Sequence, residues 1–327
     1  MTPTGVGAGH GVALLVAGVL AITVACARAG EPVSTPQWPS RTVRLITPLA
    51  AGGGPDLVAR TVAEALAVRW RQAVIVDNRP GADGILAVRA VIDAADEHTL
   101  LFSPNSVVTA NPIVRESLPY AIADVVPIAA IVDVPIAIVT GSSVAAKTLP
   151  DLLASAKRSP GTYAYTSVFG APHLVWTALL KHAAIDMSLV GYRNPNVAIP
   201  DLIERRVHAA LLPLGTILTA ARAGNVRLLA ILSSRRSAVV PDVPTIAEAG
   251  YGEFTADGAL GLFSAGPQTS ARREWIAAEV KAVTADEAVA RKLLQAGFEV
   301  WFQGPREYSA ALSEQRTRLG ALTPVNR

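Results

Sequence analysis

Two doubly wound α/β sheets are the fold this sequence predicts, and three observations predict it. Short β-branched runs alternate with longer helical ones along most of the chain, which means parallel strands covered by helices. The strands number about ten, near the upper limit for one open twisted sheet, so two sheets fit better. With 327 residues, 51% apolar and 17% charged, the chain is long enough and apolar enough to bury the cores of two modest domains.

The first element is an uncharged apolar run of 14 residues, Val12 to Ala25, too short to span a bilayer comfortably and typical of the core of a secretory leader. Ala27-Arg28-Ala29 then offers a small-x-small cleavage site, so residues 1–29 are expected to be a signal peptide, although no Lys or Arg precedes the run. Cleavage after Ala25 would instead expose Cys26 for lipidation. Cys26 is the only cysteine, which excludes an intramolecular disulfide and a cysteine-built metal site.

A Pro/Ser/Thr linker, Glu31 to Ser40, leads into the alternation. Thr42 to Thr47 reads as a strand, Pro55 to Trp70 as a helix, Ala73 to Asp77 as a strand, Asp83 to Ala94 as a helix and Thr99 to Ser103 as a strand. Val125 to Thr140, the most apolar later region, contains Pro127, Asp133 and Pro135 and reads as two short buried strands with a turn between them. The middle repeats the pattern, with helices at Leu149 to Arg158, Pro172 to His182, Val197 to Arg205 and Thr216 to Ala223. Strands at Tyr163 to Ser167, Met187 to Tyr192, Val207 to Leu212 and Val226 to Leu232 lie between and after them. A strand near Gly261 to Ser264 and helices at Ser270 to Thr284, Asp286 to Ala296 and Arg306 to Leu319 complete the chain.

The formal charge is only +3, with no basic block, and aromatic residues make up 5%, so neither a phosphate-backbone surface nor a base-stacking platform is expected. In open α/β sheets ligands sit beyond the carboxyl ends of strands, so the loops there are the candidate chemistry. After the first strand comes Ala50-Ala51-Gly52-Gly53-Gly54-Pro55-Asp56, a glycine loop opening a helix with Pro55 at its start. Free N–H groups there favour an anion, and the bland alternative is a well-capped turn. Asp56 is either a helix-start carboxylate or a contact to a ligand ammonium. After the second strand Gly81-Ala82-Asp83-Gly84 repeats the device, which would bring two helix starts to one sheet edge. Arg79 either pins that loop through Asp77 or Asp83 or touches the ligand. Ser103 and Asn105 after the third strand, and Ser167 and Gly170 after Tyr163 to Ser167, supply hydroxyl, amide and backbone groups that could bind or merely cap. No G-x-S-x-G, H-E-x-x-H or calcium loop is present, and His98, His173, His182 and His208 are not spaced as metal ligands.

Five segments in order resemble one family. They are P-L-A-A-G-G-G-P-D-L-V-A-R (Pro48 to Arg60), N-R-P-G-A-D-G (Asn78 to Gly84), Y-T-S-V-F-G-A-P-H-L (Tyr165 to Leu174), G-Y-R-N-P (Gly191 to Pro195) and V-P-T-I-A-E-A-G (Val243 to Gly250). The family is the Bug-type, or TctC, solute-binding proteins of tripartite tricarboxylate transporters. The resemblance implies a periplasmic-binding-protein-like fold of two α/β domains, 31–132 plus 255–327 and 133–254, with a ligand cleft between them. It implies a monomer without catalytic activity or cofactor that takes a small carboxylate or amino-acid ligand and has membrane permease subunits as partners. By position, Ala50, Ala51, Gly52 and Gly53, then Gly81, Ala82 and Gly84, would hold a ligand carboxylate, with Ser167 and Gly170 on the opposing domain. The chain departs from the family pattern at Ala95-Asp96-Glu97-His98, at Tyr192-Arg193-Asn194 and at Glu204-Arg205-Arg206-Val207-His208. The last departure would put His208 on a cleft-facing strand where the family has an acid. Two other readings remain open. A nucleotide-binding enzyme would need a phosphate lysine, a ribose acid and a base that do not assemble. A signalling receptor would share every sequence feature with a transport receptor.

Overall fold

The computed structural model describes residues 38–192 and 197–322. The expected signal peptide, Cys26, and Arg193 and Asn194 lie outside the described residues. The chain divides after Ser40, and every element below belongs to the unit that begins at Arg41.

That unit contains two mixed sheets. The first has the order β11-β4-β10-β3-β1-β2, built from β1 (Val43–Thr47), β2 (Val74–Asn78), β3 (Thr99–Pro104), β4 (Val126–Asp133), β10 (Ala259–Ser264) and β11 (Glu299–Gln303). The second has the order β7-β6-β8-β5-β9, from β5 (Ile136–Gly141), β6 (Tyr163–Ser167), β7 (Met187–Leu189), β8 (Ala209–Pro213) and β9 (Val226–Ile231). Helices α1 (Gly54–Trp70), α2 (Ile85–Ala94), α3 (Ser106–Thr109), α4 (Asn111–Val114), α9 (Ser270–Thr284), α10 (Glu287–Gln295) and α11 (Pro305–Leu322) accompany the first sheet; α5 (Leu149–Arg158), α6 (Ala171–His182), α7 (Ala198–Ile203) and α8 (Leu214–Arg222) accompany the second.

The two-sheet expectation holds, and the all-parallel one is corrected. Strands joined by helical crossovers, β1 with β2 and β3, and β6 with β7 and β8, pair parallel. β10 instead runs antiparallel to β3 and β4, β11 antiparallel to β4, and β5 antiparallel to β8 and β9. β10 enters from the other sheet rather than through a βαβ crossover, so nothing imposes a parallel direction on it. The turn expected inside Val125 to Thr140 is likewise a crossing: β4 ends in the first sheet at Asp133 and β5 begins in the second at Ile136.

Helix boundaries follow their caps. Thr148 Oγ1 accepts from the Asp151 N–H at 3.2 Å while the Asp151 carboxylate accepts from the Thr148 N–H at 3.0 Å, a reciprocal box that starts α5. Asp286 accepts from the N–H groups of Ala288 and Val289 and starts α10. On one face of the first sheet, Val88 and Val91 of α2 meet Ile46, Leu101, Phe263 and Tyr308. The second sheet is buried on both faces: Ile138 packs with Trp176 and Leu152, whereas its neighbours Ala137 and Val139 pack with Leu202 and Ile217. The last helix was expected to stay with the first sheet. It packs on β4 and α3 there, and also on α6, where Leu319 joins the cluster of Trp176 and Val175.

Candidate functional site

The loops after β1 and β2 lie side by side, because β1 and β2 are parallel neighbours in register up to Thr47 and Asn78. They are not equivalent. The first loop supplies its own anion: Asp56 is 2% exposed and accepts from the Gly52 N–H at 2.9 Å, Arg60 Nε at 2.8 Å and Asn78 Nδ2 at 2.8 Å. Burial raises the Asp56 pKa, but the hydrogen bonds from Arg60, Asn78 and Gly52 outweigh it and leave the carboxyl below its ordinary range. Asp56 is therefore the structural anchor of the loop, the first of its two sequence readings. Gly52 takes a φ of 80°, as its glycine suggests. Gly53 has a φ of −81°, so it needs no glycine on backbone grounds. Ala50, Ala51, Gly52 and Gly53 are exposed and do not line the cavity described next.

The second loop is more distorted. Gly81, Ala82, Asp83 and Gly84 have consecutive φ values of 130°, 48°, 53° and 90°, and each non-glycine in that region costs about 1–2 kcal/mol. Three contacts hold the strain. Asn111 Nδ2 donates to the Asp83 carbonyl at 2.9 Å, Arg115 forms an ion pair with the Asp83 carboxylate, and the Gly84 N–H donates to the Gly81 carbonyl at 3.1 Å. Arg79 pins the neighbouring strand end through Asp77 at 3.2 Å. The Gly84 and Ile85 N–H groups turn back onto the Gly81 and Ala82 carbonyls, and α2 starts directly behind the loop, so the partial positive charge of its N-terminus lies at this wall.

The second loop forms one wall of a cavity of about 350 Å³. Gly81, Ala82, Asp83 and Gly84 line it together with Pro48, Leu49, Pro104, Ser106, Val107 and Asn111, and Phe169 and Gly170 close it from the second sheet. Of the sequence candidates, Gly81, Ala82, Gly84 and Gly170 are thus brought together. A Cβ on Gly84 would lie 2.8 Å from Val107 Cγ1, so this glycine is required by packing as well as by φ.

The other candidates do not line the cavity. Ser103 is fully buried within β3. Asn105 donates through Nδ2 to Gln315 at 2.8 Å and to the Asp257 carbonyl at 3.0 Å, tying its loop to α11. Ser167 donates to the Val168 carbonyl at 2.9 Å. His208 is corrected outright. It precedes β8, level with Ala164, whose N–H donates to His208 Nδ1 at 3.1 Å, while the cavity lies past Ser167 at the opposite end of parallel β6. Burial, and then the charge of Arg205, hold its pKa below the usual imidazole value, so it is neither cleft-facing nor poised to become a cation.

Sequence reasoning missed Pro48, Leu49, Asp83, Pro104, Ser106, Val107, Asn111 and Phe169 as wall residues. Phe169 is a lone aromatic in the loop after β6 with no pattern to mark it, and Ser106 and Asn111 belong to single-turn helices with no periodicity to read. A wider open groove of about 560 Å³ runs along β1 and β2, but its arginines are already committed, Arg41 to Asp96 at 3.1 Å and Arg44 to Asp77 at 2.7 Å. Among the described residues no cluster of His, Cys, Asp or Glu could hold a metal ion, and no helix is long and apolar enough to cross a membrane.

The family model for the tripartite tricarboxylate transporter family receptor, TctC, matches residues 58–325. This chain belongs to that family. Protein BugT of Bordetella pertussis is 35% identical over 243 residues, 73% of this chain and 74% of that protein. Among solved structures, R. palustris Rpa4515 with adipate is 25% identical with a TM-score of 0.77, covering 87% of this chain and 97% of that one. MatC of Rhodopseudomonas palustris with bound malate is 25% identical with a TM-score of 0.75, covering 87% and 99%. The family is one of receptors of tripartite tricarboxylate transporters, and the two-sheet α/β fold seen here is shared with its solved structures.

Proposed function

We propose that this chain captures a small carboxylate-containing metabolite in the cavity between its two sheets and delivers it to the permease subunits of a tripartite tricarboxylate transporter. The observation that carries the reading is the strained Gly81–Gly84 loop on the cavity wall, with the N-terminus of α2 directly behind it supplying partial positive charge to a wall lined by no cationic side chain. The adipate and malate bound by the two R. palustris proteins support the ligand class. Domain 1 would comprise 31–132 plus 255–327 and domain 2 133–254, each contributing one wall. Export is supported by the family and by the leader-like run from Val12 to Ala25.

The test is ligand-induced thermal stabilisation of ligand-stripped protein. At about 100 times its Kd a ligand adds about 2.7 kcal/mol, a rise of several degrees for a chain of this size. Gly81 has a φ of 130° and a Cβ there would lie 2.9 Å from Leu86 Cδ1, so Gly81→Val should reshape the loop and abolish the shift. No shift across mono-, di- and tricarboxylates and amino acids, in protein that is folded, would overturn the reading.

A further inference from the structure

The wall contributed by the second sheet ends in an aromatic ring with an open face. Phe169 is 66% exposed and lines the cavity. Its ring is backed by His173, centroids 5.7 Å apart at 28°, and His173 lies against Tyr165 at 6.3 Å and 16°. Tyr165 in turn meets Trp176, which is fully buried, at 6.2 Å. The stack thus runs from the core of the second lobe outward and stops at Phe169, whose position is fixed from behind. The facing wall includes Pro48, Leu49, Pro104 and Val107, flat or branched apolar groups. Among the described residues the wall's one ionisable side chain is Asp83, already paired with Arg115, so the wall offers no cationic side chain to receive a second ligand carboxylate.

We propose that Phe169 is the residue that sets ligand class, selecting a monocarboxylate whose body is a flat apolar ring, with the ring stacked on Phe169 and the carboxylate at the Gly81–Gly84 loop. The inference rests on the carboxylate-receptor reading and narrows it, and it separates this chain from the relatives that hold adipate and malate. A cavity of about 350 Å³ admits a single-ring acid with water at its edges. Offset ring stacking on a prepositioned aromatic discriminates between a flat ring and an aliphatic chain of similar size.

The test is calorimetric titration of the ligand-stripped protein with benzoate, cyclohexanecarboxylate, malate and adipate, for the wild type, Phe169→Ala and Phe169→Leu. Benzoate should bind tightest. Phe169→Ala should weaken benzoate by about tenfold and cyclohexanecarboxylate less, with Phe169→Leu restoring cyclohexanecarboxylate but not benzoate, since leucine returns area without a π-face. Circular dichroism checks that both variants are folded, which an exposed side chain should allow. Malate or adipate binding tighter than benzoate, or a benzoate affinity within about twofold of wild type in Phe169→Ala, would overturn the assignment while leaving the carboxylate reading intact. Binding of none of the four probes, in a protein also silent to the wider panel above, would remove both.

Discussion

At the scale of single residues, carboxylates in this protein do jobs their positions in sequence do not announce. Asp56 anchors the loop after β1, accepting from the Gly52 N–H within it and from the Arg60 and Asn78 side chains beside it at 2.8–2.9 Å. Its carboxyl is harder to protonate folded than unfolded, so its stabilisation is fully present above about pH 4 and is lost as pH falls through the lowered folded value. Asp56→Asn should therefore lower the melting temperature at pH 7 by several degrees, on the order of 1–3 kcal/mol for buried donors left mismatched. The deficit should shrink in melts near pH 3. A carboxylate-induced stabilisation should survive, because Asp56 does not line the cavity; its loss in folded protein would make Asp56 a ligand contact after all. The Thr245 and Glu248 pair in V-P-T-I-A-E-A-G also proves structural: the Glu248 N–H donates to Thr245 Oγ1 at 3.0 Å and the Thr245 N–H to Glu248 Oε2 at 2.8 Å. A motif can thus mark the family while holding only the backbone.

At the scale of elements, local sequence specifies a segment's limits wherever that segment satisfies its own ends. α5, β6 and α9 match the expected limits to the residue, because Thr148, the alternating Tyr163 to Ser167 and the Thr269 cap are local signals. β11 was missed. Its residues are all half-buried, without the clean alternation that marks a strand, and it pairs with β4 through a register shift. The junction of β4 and β5 carries the element-scale prediction. Asp133 ends β4 opposite Ala259 and Glu299, 3.0 Å from Arg235. Burial pushes its pKa up to about 6, with Arg235 opposing and Asp257 and Glu299 adding to the rise. The folded state thus holds this proton more tightly than the unfolded chain. Its relative stabilisation is complete below about pH 4 and lost as pH rises through about 6. Asp133→Asn should melt higher than wild type at pH 8, and the difference should shrink by about half at pH 5 and vanish only below about pH 4. A variant that melts lower at pH 8 would show that the Arg235 pair outweighs the burial cost.

At the scale of the whole molecule, the connections between sheets decide how a ligand could act. The two crossings run side by side: the Val134 N–H donates to the Gly258 carbonyl at 3.0 Å, and a Cβ on Gly258 would sit 2.4 Å from the Val134 carbonyl oxygen. α11 makes a third link, with Gln315 bonded to Asn105 and to the Asp257 carbonyl, and Leu319 among second-lobe side chains. A ligand touching both walls should favour a closed form by rotation about the paired crossings, with α11 limiting its extent. Small-angle scattering should show a smaller radius of gyration with ligand, and hydrogen exchange at Val134 and Gly258 should slow. An unchanged radius and unchanged protection with bound ligand would rule out hinge closure.

The two α/β sheets, most helix limits, the glycine loop after β2 and the family are all legible in the amino-acid order. These depend on local pattern, capping and turn chemistry, which a short window of residues specifies. It took the folded chain to show that Asp56 anchors the first glycine loop through the Gly52 N–H, that His208 sits at the far end of β6 from the cavity, and that Phe169 shares the cavity's lining with Pro48, Pro104 and Val107. Each of these depends on which strand lies beside which and on which end of a strand a residue occupies. No run of neighbouring residues encodes that, because it is fixed by crossings between sheets and by contacts between segments far apart in the chain.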